Sequence, residues 1–183
     1  MFILIPFRRL QAFLALIVLA LVTLQASSQE TVTDADGNLY HTVKIGNQTW
    51  MVENLKTTRY RNGDPILFAP SDSAWYKASS GARDQQQGAY CDFDNNAENS
   101  KIYGRLYNSI ATTDPRGICP AGWHIPSRKE WDELINYLGG EAVAGGKMKE
   151  TGTEHWLQPN AGATNASGSS AVPGGFRFNL GSF

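Results

Sequence analysis

The sequence predicts an α+β domain, and three observations predict it. Between residues 31 and 56, β-prone residues alternate with period two around turn signals, as in strands with two unlike faces. Residues 127–138 carry a capping signature followed by an apolar stripe at helical spacing. The remaining segments are rich in Gly, Asn and Ser, so long loops form about half of the mass.

The elements follow in chain order. Asp36-Gly37 is a two-residue hairpin signal between short β-prone runs. Leu39, His41, Val43 and Ile45 then alternate with Tyr40, Thr42 and Lys44. Gly46-Asn47 turns the chain again, and Gln48 to Leu55 continues with Trp50, Met51 and Val52. Residues 61–88 predict a long polar connection, and loops of that length are commonly functional or mobile. Trp75 and Tyr76 sit in its middle. Either they fold back onto the core or they offer a stacking face to a ligand. Residues 103–111, YGRLYNSIA, predict a short strand or helix, and Asp114-Pro115-Arg116-Gly117 a turn.

The clearest element is the helix over 127–138. Ser127 and Glu130 form a capping box, in which each side chain satisfies the other residue's main-chain N–H. Trp131, Leu134, Ile135 and Leu138 then fall on one helical face. Gly139-Gly140 stops the helix. A second, shorter helix is expected over 141–150, weakened by Gly145-Gly146. Residues 151–183 hold few strand signals.

The first 28 residues read as a cleavable secretion signal. Arg8 and Arg9 are its positive region, Ala12 to Val22 its apolar core, and cleavage is expected between Ser28 and Gln29. The apolar core is roughly half the length of about 20 residues that a spanning helix needs. No Cys stands at its end, where a lipoprotein signal needs one, which excludes lipid attachment of that kind. Residues 29–183 are then one extracytoplasmic domain, in contact with the membrane only in transit. Loss of Arg8 and Arg9 from 16 Lys+Arg leaves 14 against 17 Asp+Glu, a net charge of −3. Nucleic-acid binding, which needs a basic patch, is excluded on that balance.

Cys91 and Cys119 are the only cysteines, and the expected compartment is oxidising. A bridge between them closes a loop of about 29 residues, worth on the order of 3–4 kcal/mol in the chain-entropy view. Two Cys without a companion pair cannot fill a zinc site, and nothing in the sequence ties Cys119 to a base. Asp92, Asp94, Asn95, Asn96 and Glu98 form an oxygen-rich cluster after Cys91. It suits a hard cation such as Ca²⁺, or is a polar loop that caps its own backbone. Asp34 to Asn38 fails as an EF-hand loop, because aligning Gly37 to its sixth position puts Val32 and Val43 at the first and last ligands. No HExxH, GxSxG or P-loop occurs, so binding is favoured over turnover.

The stretches TDADGNLYHTVKIGNQTWMVENLKTTRYRNG, GAYCDFDNN, YGRLYNSIA, GICPAGWHIPSRKEWDELINYLGG, AGGKMKETGTEHW and PNAGATNASGSSAVPGGFR resemble, in order, the Fibrobacter succinogenes major paralogous domain. That is a family of exported bacterial proteins whose name carries no activity. The resemblance implies a C-type-lectin-like fold: a twisted antiparallel sheet, two helices and long loops. It also implies that C-terminal strands and a further Cys, a partner for Cys91 or Cys119, are missing here. Gln158-Pro159-Asn160 resembles the sugar motif of C-type lectins, in which Ca²⁺ and sugar hydroxyls share side-chain oxygens. That implies Gln158 and Asn160 as Ca²⁺-dependent sugar ligands, against the plainer reading of a Pro-bearing turn.

The expectation is therefore a secreted or surface binding module without catalytic residues, and with no cofactor unless Ca²⁺. Its partner is a cell-envelope glycan or protein. A purely structural envelope protein is the first alternative. An enzyme related to the sulfatase-modifying factors is the second, disfavoured because those rely on a closely placed Cys pair.

Overall fold

The computed structural model describes residues 30–183, so the signal segment, with Ser28 and Gln29, lies outside the described residues. The α+β class holds. Strands β1 (Thr31–Thr33), β2 (Leu39–Ile45) and β3 (Gln48–Met51) form an antiparallel sheet in that order. The link between β1 and β2 is five residues, not two, since Thr33 pairs with Leu39. Asp34 organises it. Its carboxylate accepts from the main-chain N–H of Asp36 and Asn38, from Asn38 Nδ2 and from the buried Tyr40 hydroxyl at 2.6 Å. The two-residue turn is Gly46-Asn47, with Ile45 opposite Gln48. Gly46 has φ 62°, and a Cβ there would meet the Tyr137 ring at 2.9 Å, so glycine is required twice over.

A second sheet follows: β4 (Leu67–Phe68), β5 (Ala89–Asp92) and β6 (Arg105–Tyr107). β4 runs parallel to β5, and β5 antiparallel to β6. This corrects the expectation of one antiparallel sheet. The parallel pair needs a crossover, and helix α1 (Asp72–Ser80) supplies it. The long polar connection predicted over 61–88 thus contains a strand and a helix. Ser71 caps α1, accepting from the Ala74 N–H, and only Trp75 and Ala78 are buried on it. Two residues make too short a stripe to register as periodicity.

Helices α2 (Ala97–Tyr103), α3 (Ser109–Thr113), α4 (Arg128–Tyr137) and α5 (Glu141–Met148) follow, so among the described residues five α-helices replace the expected two. Both expected helices are present, α4 with its full capping box and α5 ending two residues early. The additional short ones begin at polar caps. Asn96 accepts from the Glu98 N–H, and the buried Asn108 from those of Ala111 and Ala89.

Three clusters form the core. One joins Tyr60, Ile66, Ala111, Ile118 and Cys119. A second joins Ala69, Trp75, Ala78, Ala89 and Cys91. The third joins Ile45, Leu134, Leu138 and Ala144. Cys91 and Cys119 are both free thiols in different clusters, so the expected bridge is not formed. Burial pushes both thiols above their ordinary range, away from thiolate reactivity. Among the described residues, no helix is long and apolar enough to cross a membrane.

Candidate functional site

The third cluster does not close over. The apolar stripe of α4 buries Leu134 and Leu138, but its first member, Trp131, stays 40% exposed. Trp131 faces Trp50 of β3, with ring centroids 4.8 Å apart and planes inclined by 47°. Gln48 fixes this pair. Its Nε2 donates to the Glu130 carbonyl at 3.1 Å, and its Oε1 accepts from Trp50 Nε1 at 3.1 Å. One amide thereby ties the start of α4 to the edge of the sheet.

The gap between these elements is a groove of about 420 Å³, within the range of roughly 300–1,000 Å³ of small-molecule sites. Trp50, Trp123, Trp131, Met51 and Met148 supply apolar walls, with Cys119 at the side. Gln48, His124 and Glu130 supply polar groups. A few polar groups converging on aromatic walls are the composition of a recognition site.

His124 Nε2 lies 2.8 Å from Glu130 Oε1. Glu130 Oε2 accepts from the main-chain N–H and hydroxyl of Ser127, each at 2.7 Å. The Ser127 N–H and hydroxyl, with His124 behind them, hold the Glu130 carboxyl down to about 2. The carboxylate stands between serine and imidazole. The imidazole therefore cannot take the hydroxyl proton, as a nucleophilic triad requires.

The residues singled out from sequence fall elsewhere. Trp75 is 3% exposed in the second cluster, so it folds back onto the core and offers no stacking face. Its neighbour Tyr76 stands on the outer side of α1, 43% exposed. The side chains of the Asp92–Asn96 cluster are drawn to different partners. Asp92 is buried and pairs with Arg105 Nε at 3.1 Å. Asn95 Oδ1 accepts from Arg177, Asn96 caps α2, and Asp94 is exposed. Asp92 and Asn95 serve distant arginines, and Asn96 caps its own backbone. Gln158 is exposed. Asn160 donates through Nδ2 to the carbonyls of Glu150 and Gly152, so its amide nitrogen secures the loop.

The groove is not legible in the sequence, which places Trp131 in the apolar stripe of a helix and Trp50 in a strand. The available signal was partial: Trp123 and Trp131 flank the start of α4, where a large ring is least easily covered on all sides.

The profile of the Fibrobacter succinogenes major domain matches residues 43–183. The chain belongs to that family. No curated protein and no solved structure matches it.

Proposed function

We propose that this member of the Fibrobacter succinogenes major domain family is an exported, non-catalytic binding module whose tryptophan groove takes a carbohydrate of the cell envelope. One observation carries this: about 420 Å³ of open groove walled by Trp50, Trp123 and Trp131, with His124, Glu130 and Gln48 at hand. A sugar ring has apolar C–H faces and a hydroxyl rim. Flat aromatic walls match the faces, and a carboxylate, an imidazole and an amide match the rim. The site is also rigid before any ligand arrives. The Gln48 bridge and the Ser127–Glu130 cap already hold its walls, so little ordering cost is left for binding. The order Ser127–Glu130–His124 supports binding over turnover. A C-type-lectin-like relationship belongs to the same proposal, and its support is the combination of two small sheets, short helices and long loops.

The test is a glycan array on the mature chain, with Trp131→Ala in parallel. The expected result is retention of a restricted glycan class, weakened at least tenfold by the substitution, or about 1.4 kcal/mol. Equal retention by both proteins refutes the groove as the site. One observation favours a second occupant. β3 is an edge strand, and all four of its residues line the groove. An extended peptide from an envelope protein could add there as a further strand. No glycan signal together with saturable peptide binding would select that reading.

A further inference from the structure

The segment after α5 has almost no regular structure, yet it gathers three metal-binding side chains. One imidazole nitrogen of His155 and one oxygen each of Glu150 and Glu154 lie within 4.8 Å of one another. His155 Nδ1 is already 2.8 Å from Glu150 Oε2. A zinc-sized ion sits about 2.0–2.2 Å from each donor, which places two tetrahedral donors roughly 3.4 Å apart. The pair has only to open by about half an ångström to admit one.

The surroundings hold the donors rather than compete for them. Glu150 is fixed at both main-chain ends: its N–H donates to the Ala171 carbonyl, and its own carbonyl accepts from Asn160 Nδ2. Ala171 also accepts from Trp156 Nε1 at 2.9 Å. The Tyr103 ring packs edge-on against the imidazole, centroids 5.8 Å apart. The neighbouring cation, Lys149, is turned away, donating to the Ala161 carbonyl and lying over the Trp156 ring.

A second, independent feature is the other half of the Asn160 amide. Its nitrogen is committed to two carbonyls, which fixes the amide's orientation. Its Oδ1 is buried with no donor. A buried acceptor without a partner is costly, and this one belongs to an amide seated on the main chain of Glu150.

We propose that Glu150, Glu154 and His155 bind one divalent transition-metal ion of the zinc class, with Asn160 as the residue that positions Glu150. Two carboxylates and a neutral imidazole match a dication in charge. The imidazole selects zinc-like ions over Ca²⁺ and Mg²⁺, which take oxygen ligands. The site goes beyond the groove reading and does not depend on it.

The test uses the untagged mature chain after chelator treatment, titrated with Zn²⁺ and separately with Ca²⁺. Calorimetry and melting temperature are the readouts, and the visible spectrum of a Co²⁺ complex reports the ligand set. The expected result is one Zn²⁺ per chain, a melting temperature raised by several degrees, and at least tenfold weaker Ca²⁺ binding. Glu154→Gln should weaken Zn²⁺ at least tenfold and alter the Co²⁺ spectrum. Glu154 is exposed, so that variant keeps its fold, as circular dichroism would verify. His155→Ala should do the same or more. No Zn²⁺ binding at micromolar concentration, Zn²⁺ binding that both variants leave untouched, or Ca²⁺ binding as tight as Zn²⁺ would each overturn the proposal.

Discussion

Residues 31–56 and residues 149–183 are ordered by opposite means. The first stretch is a backbone ladder of three antiparallel strands, and most of its side chains need only fit a face. The second stretch has no strand or helix among the described residues, only an isolated bridge between Lys149 and Ala171. Scattered turn bonds of the main chain and single side chains order it together. Asn165 exchanges hydrogen bonds with Ser170, Ser169 reaches the Met148 carbonyl, and Asn160 spans two carbonyls. A ladder spreads stability over many equivalent bonds. A segment held by individual side chains concentrates it, so single substitutions there should be disproportionately damaging.

Arg177 is the sharpest case. Its side chain is fully buried. Nε donates to the Gly181 carbonyl, Nη1 to Ala69 and Asn95, and Nη2 to Asp72 at 2.7 Å. The guanidinium also lies over the Phe183 ring, 4.5 Å from its centroid. One residue therefore fastens the end of the chain to α1 and the second sheet. Arg177→Ala should cost about 4 kcal/mol in denaturant unfolding, because several buried acceptors lose a charged donor together. Arg177→Lys should recover less than half of that loss, since an ammonium cannot reproduce the planar fork. A cost below about 1 kcal/mol for Arg177→Ala would break the comparison.

Where the first sheet packs on α4, the largest effect should come from apolar burial. Leu134 is 1% exposed beneath the groove, and Leu134→Ala should cost about 3 kcal/mol. The same change should loosen the Trp50–Trp131 pair, visible as a shift in tryptophan emission. Ser127→Ala should cost about 1 kcal/mol through loss of the α4 cap. It should also weaken glycan retention, because Glu130 loses the hydroxyl that steadies it at the groove.

The smallest effect is a pH dependence. The Glu130 carboxyl, ordinarily near 4.5, is lowered to about 2 by the Ser127 N–H and hydroxyl. Its stabilising contribution is complete above the unfolded value and is lost as pH falls toward 2. The melting temperatures of wild type and Glu130→Gln should therefore converge between about pH 4.5 and 2. A gap that stays constant over that window would show that the carboxylate's charge contributes nothing to the cap.

The same contrast explains what the sequence made legible. The period-two stretch, the capping box and the stripe Leu134–Ile135–Leu138 are repeated or reciprocal signals, and the structure carries all of them. Helix α1 was invisible because its buried face is two residues long. The parallel pairing of β4 with β5 was invisible because two-residue strands carry no pattern. The thiols looked like a bridge because the number two and an oxidising destination both suggested one, but their surroundings place them in separate clusters. The groove was hidden for a related reason. Gln48, Trp50 and Trp131 meet across about 80 residues of chain, and no local spacing encodes that meeting.

The central claim is that the face between β3 and α4 is where ligand binds. The most direct measurement follows the five indole N–H signals in ¹⁵N-labelled mature protein during titration with hexose and N-acetylhexosamine oligosaccharides. Trp50, Trp123 and Trp131 line the groove, whereas Trp75 is buried in another cluster and Trp156 is held by Ala171. Binding at this face should shift the first three signals saturably and leave Trp75 and Trp156 stationary. Shifts confined to Trp75 or Trp156, or no shift with any sugar the glycan array retains, would contradict it.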